Sequence, residues 1–388
     1  MKICLVHHVA DLYGSSRSLL RLASALVMHG HAVRVALQED GPLRSALEAA
    51  GVPVRIIPSL PVLHRHRLRS PLAIAGLLRD WRRAGSLMSV WLREERPDVV
   101  HTNSATLLPV AGLCAERLGI PHVLHVREFF TEFGPLWVLY RWVLLRYADL
   151  VLCVSQAVAT QFPSRPDVAV LHNGFPQAEF PEDGAAAAGA AWRRQFVGDG
   201  GLLVGVIGRI KLKRKGQETF VDAAALLAER FPDARFLIVG APFPGNEHHQ
   251  TLIENRIKDL GLTDRILLTD EVDNTKAVYA ALDVVVMSSG TPEPFGGVVI
   301  EAMACGRPVV GTAIGGTAEQ IEDGVTGLLV PPNDPAAMAA AVGELLEDSS
   351  RRKSMGLAAR RRFLECFEFN SFFEALTGHY RKLQGRLE

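Results

Sequence analysis

TPEPFGGVVIE, residues 291–301, sets Glu293 and Glu301 eight residues apart around the pair Gly296-Gly297. Pro292 and Pro294 are excluded from a helix interior but suit the approach to a helix and its first turn. From about Gly296 the pattern VVIEAMACG is helical, and Gly306 predicts its end. A helix start presents unpaired N–H groups and the positive end of the helix dipole, which together make an anion site. Glycines there let a phosphate come close to the backbone. This reading puts Glu293 on the loop before the helix and Glu301 about a turn and a half inside it. At ~1.5 Å per helical residue and up to ~3.3 Å per extended one, the two carboxyls stand roughly 10–15 Å apart. A molecule with hydroxyls at both ends and phosphates between them suits that spacing, as a nucleotide sugar does. Each carboxylate would then accept hydrogen bonds from adjacent hydroxyls of one sugar ring.

Outward from this stretch, strand and helix patterns alternate. LLVGVIGR, RFLIVG, RILLTD, DVVVMSS and RPVVGT read as strands, with helical segments such as FVDAAALLAER between them. The first half behaves alike. KICLVHH (2–8) is a strand. SRSLLRLASALVMHG follows as a helix, with Leu19, Leu22, Ala23 and Leu26 at i, i+3, i+4 and i+7 and Gly30 as its C-cap. Then come HAVRVALQ, VPVRIIP, a long helical region to Arg96, PDVVHTN, a helix ending near Gly119, PHVLHVRE and DLVLCVS. Alternation of this kind predicts βαβ units and parallel sheets covered on both faces. Residues 176–200 break it with an Ala/Gly tract that reads as a linker or surface insertion. The predicted fold class is α/β, with two doubly wound Rossmann-like domains facing across a cleft. The first spans 1–175 and the second 201–369, and a helical segment at 370–388 returns to pack on the first. Ligands of such sheets bind beyond the carboxyl ends of the strands.

Length and composition agree with two globular domains: 388 residues, 48% hydrophobic and 22% charged. No apolar run reaches the ~18–20 residues of a bilayer span. The N-terminal MKICLVHHVADLYG reads as a first strand rather than a signal peptide, so a cytoplasmic location is expected. Cys4, Cys114, Cys153, Cys305 and Cys366 are scattered without a CxxC pair. Buried reduced thiols are therefore expected, not a disulfide framework or a zinc site. Net charge is zero, but residues 1–170 hold 19 Lys and Arg against 13 Asp and Glu, and the remainder 23 against 29. Much of the positive excess lies in HRHRLRSPLAIAGLLRDWRRAG, residues 64–85, either a surface for anionic partners or a solvated basic face.

The segment GRIKLKRKG (208–216) is the second candidate. Strand LLVGVI delivers Arg209 at a carboxyl end, and Lys215 precedes Gly216. A guanidinium fork and an ammonium there neutralise a diphosphate, and in a transferase they stabilise charge growing on the leaving group. Lys211, Lys213 and Arg214 read as solvated.

Together these features resemble the retaining glycosyltransferases of family 4, which have the GT-B fold. The resemblance covers nearly the whole chain. It rests on Glu293-x7-Glu301 with EAMACGRPVVGTAIGGTAEQIEDGVTGLLVPPND, on Arg209 with Lys215-Gly216, and on LHNGF (171–175). It implies that Glu301 holds the ribose hydroxyls and that Glu293 contacts the donor sugar near its 3- and 4-hydroxyls. Phe295, Gly296 and Gly297 supply backbone to sugar and diphosphate, and Arg209 and Lys215 hold the diphosphate. Structural ion pairs for the two glutamates, and plain surface charge for Arg209 and Lys215, are the competing readings.

The first domain departs from the family pattern. LYGSSRSLL places Gly14-Ser15 where many relatives carry a glycine pair. Gly14 still permits a phosphate to approach and Ser15 adds a hydroxyl, unless this is an ordinary helix start capped by Ser15 or Ser16. In PHVLHVREFF, Arg127 stands where many relatives have a histidine near the reaction centre, so Arg127 joins Glu293 as a catalytic candidate. His125 reads as a core residue or a group one layer behind the reacting atoms. Glu128 and His125 are candidates on the acceptor side.

The family implies front-face displacement, with the leaving phosphate accepting the acceptor's proton and the protein positioning and stabilising charge. No DxD motif is present, and EVD (271–273) reads as a loop near the nucleobase, so neither a metal nor a cofactor is expected. The expected partners are a nucleotide-diphosphate sugar and a glycan, lipid-linked or small-molecule acceptor, with no nucleic acid. Arg65, Arg67, Arg69, Arg82 and Arg83, with Trp81 and Trp91 nearby, suggest peripheral contact with the inner face of an anionic membrane. A nucleotide-sugar epimerase of the same architecture and a catalytically dead donor-binding protein are the alternatives. VGVIGR is not GxGxxG and no GxxxxGK[ST] occurs, which argues against a nicotinamide enzyme and a P-loop NTPase.

Overall fold

The computed structural model describes residues 1–63, 70–130, 133–180, 182–197 and 200–385. The chain divides into two compact units, Met1–Asn173 with Phe372–Glu388, and Gly174–Ser371.

The first unit carries β1 (Lys2–His7), α1 (Gly14–Met28), β2 (Ala32–Leu37), α2 (Pro42–Ala49), β3 (Val54–Ile56), α3 (Pro71–Glu95) and β4 (Val99–Thr102). It continues with α4 (Val110–Arg117), β5 (His122–Val126), α5 (Leu136–Arg146), β6 (Leu150–Cys153), α6 (Gln156–Ala159) and β7 (Val168–Val170). Its seven strands run in the order β3-β2-β1-β4-β5-β6-β7, every pairing parallel. The sequence expectations passed over α2, an eight-residue helix whose start is marked by Gly41-Pro42.

The second unit carries α7 (Glu182–Val197), β8 (Leu202–Ile207), α8 (Gln217–Ala228), β9 (Ala234–Val239), α9 (His248–Asp259), β10 (Ile266–Thr269), α10 (Thr275–Ala281) and β11 (Val284–Met287). It continues with α11 (Gly297–Ala304), β12 (Val309–Thr312), α12 (Thr317–Gln320), β13 (Gly327–Val330), α13 (Pro335–Glu347) and α14 (Ser349–Arg362). Its six parallel strands run β10-β9-β8-β11-β12-β13. α15 (Phe369–Gln384) closes the chain, and from Phe372 onward it belongs to the first unit.

Both sheets are doubly wound, with strand order reversing between β1 and β4 in one and between β8 and β11 in the other. At such a point the loops leave the carboxyl ends of neighbouring strands toward opposite faces and open a crevice for ligands. The central strands are near-continuous apolar runs because both sheet faces are covered. Val204, Val206, Phe236, Val284 and Val286 are fully buried or nearly so, and Phe220 of α8 meets Phe236 edge-on with ring centroids 6.1 Å apart. Each such side chain contributes about 1.5–3 kcal/mol through burial.

α15 holds to its sheet through one amphipathic face, Phe372, Phe373, Leu376, Tyr380 and Leu383. The Tyr380 hydroxyl is hydrogen-bonded to His101 Nδ1 on β4 at 2.6 Å.

Two expectations change. The Ala/Gly tract expected to be a linker forms much of α7. Alanine has the best intrinsic helix propensity, and small side chains let helices approach closely without a broad apolar stripe. A Cβ on Gly189 would lie 2.7 Å from that of Ala280 on α10, and Arg193 binds the Ala281 carbonyl at 3.0 Å and Asp283 at 2.7 Å. The thiols of Cys4, Cys114 and Cys153 are buried as expected, with Cys305 half-buried, but Cys366 is exposed. Of the basic tract, Arg65, Arg67 and Arg69 lie outside the described residues. Arg82 and Arg83 lie on α3, which starts at Pro71 with Ser70 as its cap.

Candidate functional site

In the second unit the β8 and β11 loops are stapled together at the reversal of strand order. Gly208 leaves β8 at φ 137°, a conformation that favours glycine, and its N–H is held by the Val239 carbonyl at 2.8 Å. The chain then turns through Lys211–Gly216, closed by the Lys215 N–H on the Lys211 carbonyl at 2.8 Å. Gln217 braces this turn, accepting from Lys211 N at 3.3 Å and donating to the Arg209 carbonyl at 3.0 Å. Ser288 Oγ, just past β11, donates to the Lys215 carbonyl at 2.8 Å, and the Gly290 N–H to that of Arg214 at 3.1 Å.

The result is a fixed cation–carboxylate pair. Lys215 Nζ stands 3.0 Å from Glu293 Oε1, with Arg214 Nε at 3.9 Å and Ser289 Oγ at 3.4 Å from the same oxygen. Glu293 is only 6% exposed. Burying a carboxylate without a partner is prohibitive, so this pairing is a condition of its position. The Glu293 carbonyl accepts the Gly316 N–H at 2.8 Å, which ties the loop to the end of β12. Arg209 lies over the Phe243 ring, its guanidinium carbon 5.0 Å from the centroid.

α11 starts as its sequence indicates. Gly296, at φ 72°, is the residue before the helix and Gly297 its first member. Phe295 is a packing residue as well as part of this loop. Its ring is buried against Phe367 with centroids 6.1 Å apart, and its carbonyl accepts from Gln320 Nε2. Glu301, on the exit side of the first turn, accepts a hydrogen bond from the Tyr279 hydroxyl at 2.8 Å. Tyr279 is fully buried; burial foremost, then the neighbouring carboxylate, holds its hydroxyl protonated far above the usual range. It therefore acts as a permanent donor that orients Glu301. Sequence reasoning missed Tyr279 because it lies on a different helix, 22 residues upstream. Replacing it with phenylalanine is expected to leave the fold intact and, with Glu301 on the ribose hydroxyls as the family resemblance implies, to weaken nucleoside-diphosphate binding by about tenfold or more, since a hydrogen bond to a charged group contributes about 1.5–3 kcal/mol. Calorimetric titration of the variant checks this.

The first unit gathers polar groups at its own reversal of strand order. α1 begins at Gly14, with Tyr13 before it and neither Ser15 nor Ser16 as the cap. Ser16 Oγ instead donates to Asp11 at 2.8 Å and so accepts from His7 Nε2 at 3.2 Å. A Cβ on Gly14 would meet nothing within 4 Å, so packing does not demand a glycine there. Asn103, after β4, donates to the Ser15 carbonyl at 3.3 Å and to His7 Nδ1 at 3.4 Å.

Arg127 connects three strand ends. Its Nε donates to Asn103 Oδ1 at 3.0 Å, Nη1 to Asn173 Oδ1 at 2.6 Å and Nη2 to His125 Nδ1 at 3.3 Å. It is buried, which pushes its pKa down to about 10. Each guanidinium nitrogen thus has a partner inside the unit, so the geometry makes Arg127 an organiser of loop ends. Glu128 is similarly engaged, accepting from Ser104 Oγ at 2.5 Å, from the Arg127 N–H at 3.0 Å and from the Ala105 N–H at 3.3 Å. Burial raises its pKa. His125 is fully buried on β5.

Buried histidines give this unit a pH dependence. Burial lowers His101 to about 3 and His122 to about 4, and takes His7 and His125 well below 6.5. His101 Nδ1 is hydrogen-bonded to the Tyr380 hydroxyl and His122 donates Nδ1–H to the Tyr147 carbonyl at 2.6 Å; burial is what keeps both rings neutral. Their folded pKa values lie below the unfolded one, so the unfolded chain binds more protons in acid. The stabilisation from neutral burial is whole above about pH 6.5 and fades as pH falls toward 4 and 3. Each histidine costs up to about 2 kcal/mol between pH 6.5 and 5. Trp81, Trp91, Trp137 and Trp142 lie in this unit and Trp192 in the other. Urea titrations followed by tryptophan fluorescence should shift to lower midpoints at pH 5, while amide exchange in the second unit changes little.

Two doubly wound parallel sheets, one bearing a buried carboxylate–ammonium pair beside a glycine-opened helix, define a class of two-unit α/β proteins that bind ligands beyond their strand ends. The family Glycosyltransferase Family 4 matches residues 13–178, and Glycosyl transferases group 1 matches residues 191–362. The chain is 33% identical over 304 residues to the GDP-mannose-dependent alpha-(1-6)-phosphatidylinositol monomannoside mannosyltransferase of Mycolicibacterium smegmatis, covering 74% of this chain and 77% of that protein. It is 32% identical over 289 residues to the D-inositol 3-phosphate glycosyltransferase of Salinispora tropica, where 68% of this chain spans 60% of the relative's length. Anabaena HepE, solved in complex with UDP, superposes with a TM-score of 0.84 at 23% identity, over 98% of this chain and 100% of that one. The chain belongs to glycosyltransferase family 4, and its fold is GT-B.

Proposed function

We propose that this protein transfers a sugar from a nucleoside-diphosphate sugar to a hydroxyl of a glycan, lipid-linked or small polyol acceptor, with retention of anomeric configuration. The observation that carries the reading is the pairing of Lys215 with buried Glu293 at the reversal of strand order, directly before the glycine-opened start of α11. The names of its relatives support the donor class: GDP-mannose for the Mycolicibacterium protein and UDP in the HepE complex. The inositol and phosphatidylinositol acceptors in the relatives' names support a polyol or lipid-linked acceptor.

In the proposed reaction the acceptor oxygen attacks the anomeric carbon on the face from which the diphosphate departs. The bond from that carbon to the diphosphate oxygen breaks, its electron pair leaves with the diphosphate, and a phosphate oxygen takes the acceptor's proton. Arg209, Lys215 and the amides at the start of α11 offset the charge that develops on the leaving group. Glu293 accepts from hydroxyls of the sugar and Glu301 from those of the ribose. We assign Gly14 and Ser15 to the donor phosphates and the loops after β4 and β5 to the acceptor side, with Arg127 positioning both. No step requires a metal.

A panel of UDP-, GDP- and ADP-sugars, screened by thermal shift and then by turnover with polyol acceptors, tests the reading. Proton NMR of the product reports the anomeric configuration. An inverted product rejects front-face transfer, and an epimerised donor formed without acceptor rejects transfer altogether.

A further inference from the structure

α5 reads LWVLYRWVLLR, without an acidic residue. Its inner face is anchored by Tyr140, whose hydroxyl donates to the Ala105 carbonyl at 2.6 Å, and by buried Leu144. Its outer face is largely apolar as well: Val138 is 58% exposed, Leu139 64% and Trp142 64%, with exposed Arg146 beside them paired to Glu116 of α4. Clustered exposed apolar groups mark an interaction surface.

α3 lies on the same side of the sheet. The connections β3→β4, β4→β5 and β5→β6 all advance in one direction across it, and right-handed crossovers place α3, α4 and α5 on one face. On the outer side of α3, exposed Leu72, Leu78 and Val90 alternate with exposed Arg79, Arg82 and Arg83.

We propose that this face of the first unit docks on an anionic lipid bilayer, with Val138, Leu139 and Trp142 entering the boundary between headgroups and acyl chains and the α3 arginines meeting lipid phosphates. Charge complementarity selects lipid over a second copy of the chain. Arg79, Arg82 and Arg83 meet charge of opposite sign on an anionic surface, and each arginine near such a surface contributes favourably. An exposed tryptophan beside leucine and arginine suits an interface that is apolar on one side and wet on the other. α5 has 11 residues, about 16 Å of helix against a hydrocarbon layer of ~30 Å, so it would lie in the interface plane. Among the described residues no helix is long and apolar enough to cross a membrane. This inference does not rest on the proposed reaction, since docking needs neither donor nor turnover.

The test is flotation of the full chain with phosphatidylcholine vesicles, alone and with about one-third phosphatidylglycerol. Binding to the anionic vesicles should exceed binding to the neutral ones by about tenfold or more and fall with salt. Leu139→Ser with Trp142→Ser should lower it by about tenfold or more, and Arg79→Gln with Arg82→Gln and Arg83→Gln should remove most of its salt dependence. Brominated lipid should quench tryptophan fluorescence of the wild type and much less that of Trp142→Phe, a readout that requires no destabilising change. Equal binding to neutral and anionic vesicles, no flotation, or unaltered quenching in Trp142→Phe would overturn the proposal. So would a wild-type dimer in sedimentation velocity that the serine variant dissociates. Thermal shift by nucleotide sugars should be unchanged in these variants, which separates failure of docking from failure of the donor assignment.

Discussion

Replacing Glu293 with glutamine should slow sugar transfer by about a hundredfold or more while leaving the protein folded. The carboxylate is 6% exposed and receives Lys215 at 3.0 Å and Ser289 at 3.4 Å on one oxygen, Oε1. In the proposed role it also accepts from hydroxyls of the donor sugar. Hydrogen bonds to a charged group contribute about 1.5–3 kcal/mol each, and loss of ~3 kcal/mol is a factor on the order of a hundred. Glutamine keeps the shape and one acceptor oxygen but loses the charge that holds Lys215. The free nucleoside diphosphate provides the diagnostic. It has no sugar to lose, and removing a carboxylate beside Lys215 lessens repulsion of the diphosphate. Its affinity should hold or rise severalfold while affinity for the intact nucleotide sugar falls. Titration of both ligands, with a melting curve, distinguishes the roles. Full transfer activity in Glu293→Gln would sink the assignment. Equal loss of both ligands together with a large fall in melting temperature would reduce Glu293 to a structural ion pair.

The sequence around this site was legible where the signals are local. Pro292 and Pro294, the glycine pair and Gly306 bound α11 because each acts on its own backbone, and Gly306 does sit at φ 64° beyond the helix end. Alternating strand and helix patterns likewise revealed both sheets, since a strand covered on both faces must be apolar throughout. What escaped was long-range. The meeting of Lys215 and Glu293 spans 78 residues of chain, and the bonds of Arg127 to Asn103 and Asn173 join three strand ends. No periodicity encodes such partners. The sequence shows the charge of Arg127, a catalytic candidate, but not its burial or its three partners. The Ala/Gly tract read as a linker because its helix needs only small residues against α10 rather than a broad apolar stripe.

Gly216→Ala should cost more than its single methyl group suggests. Gly216 sits at φ 65°, and a Cβ built on it would overlap the carbonyl oxygen of Ser288, a backbone atom that cannot swing aside. The left-handed conformation costs an alanine about 1 kcal/mol, and forcing apart two packed backbone segments about 1–3 kcal/mol more. The least costly relief is to separate the β8 and β11 loops, which breaks the bond from Ser288 Oγ to the Lys215 carbonyl at 2.8 Å. Lys215 then moves with its loop away from Glu293. A displacement of about 1 Å in a positioned group costs on the order of a hundredfold in rate. Donor affinity is therefore expected to fall by about tenfold or more, and transfer further still. Gly261 supplies the control. It has nearly the same backbone angle, φ 67°, but nothing within 4 Å of a built Cβ. Gly261→Ala should lose about 1 kcal/mol of stability and keep its transfer rate. If both alanine variants lose stability equally and Gly216→Ala keeps full activity, the stapled loops do not set the geometry of Lys215 and Glu293. A loss of transfer confined to Gly216→Ala shows that the close approach of Gly216 to Ser288 holds the site in register.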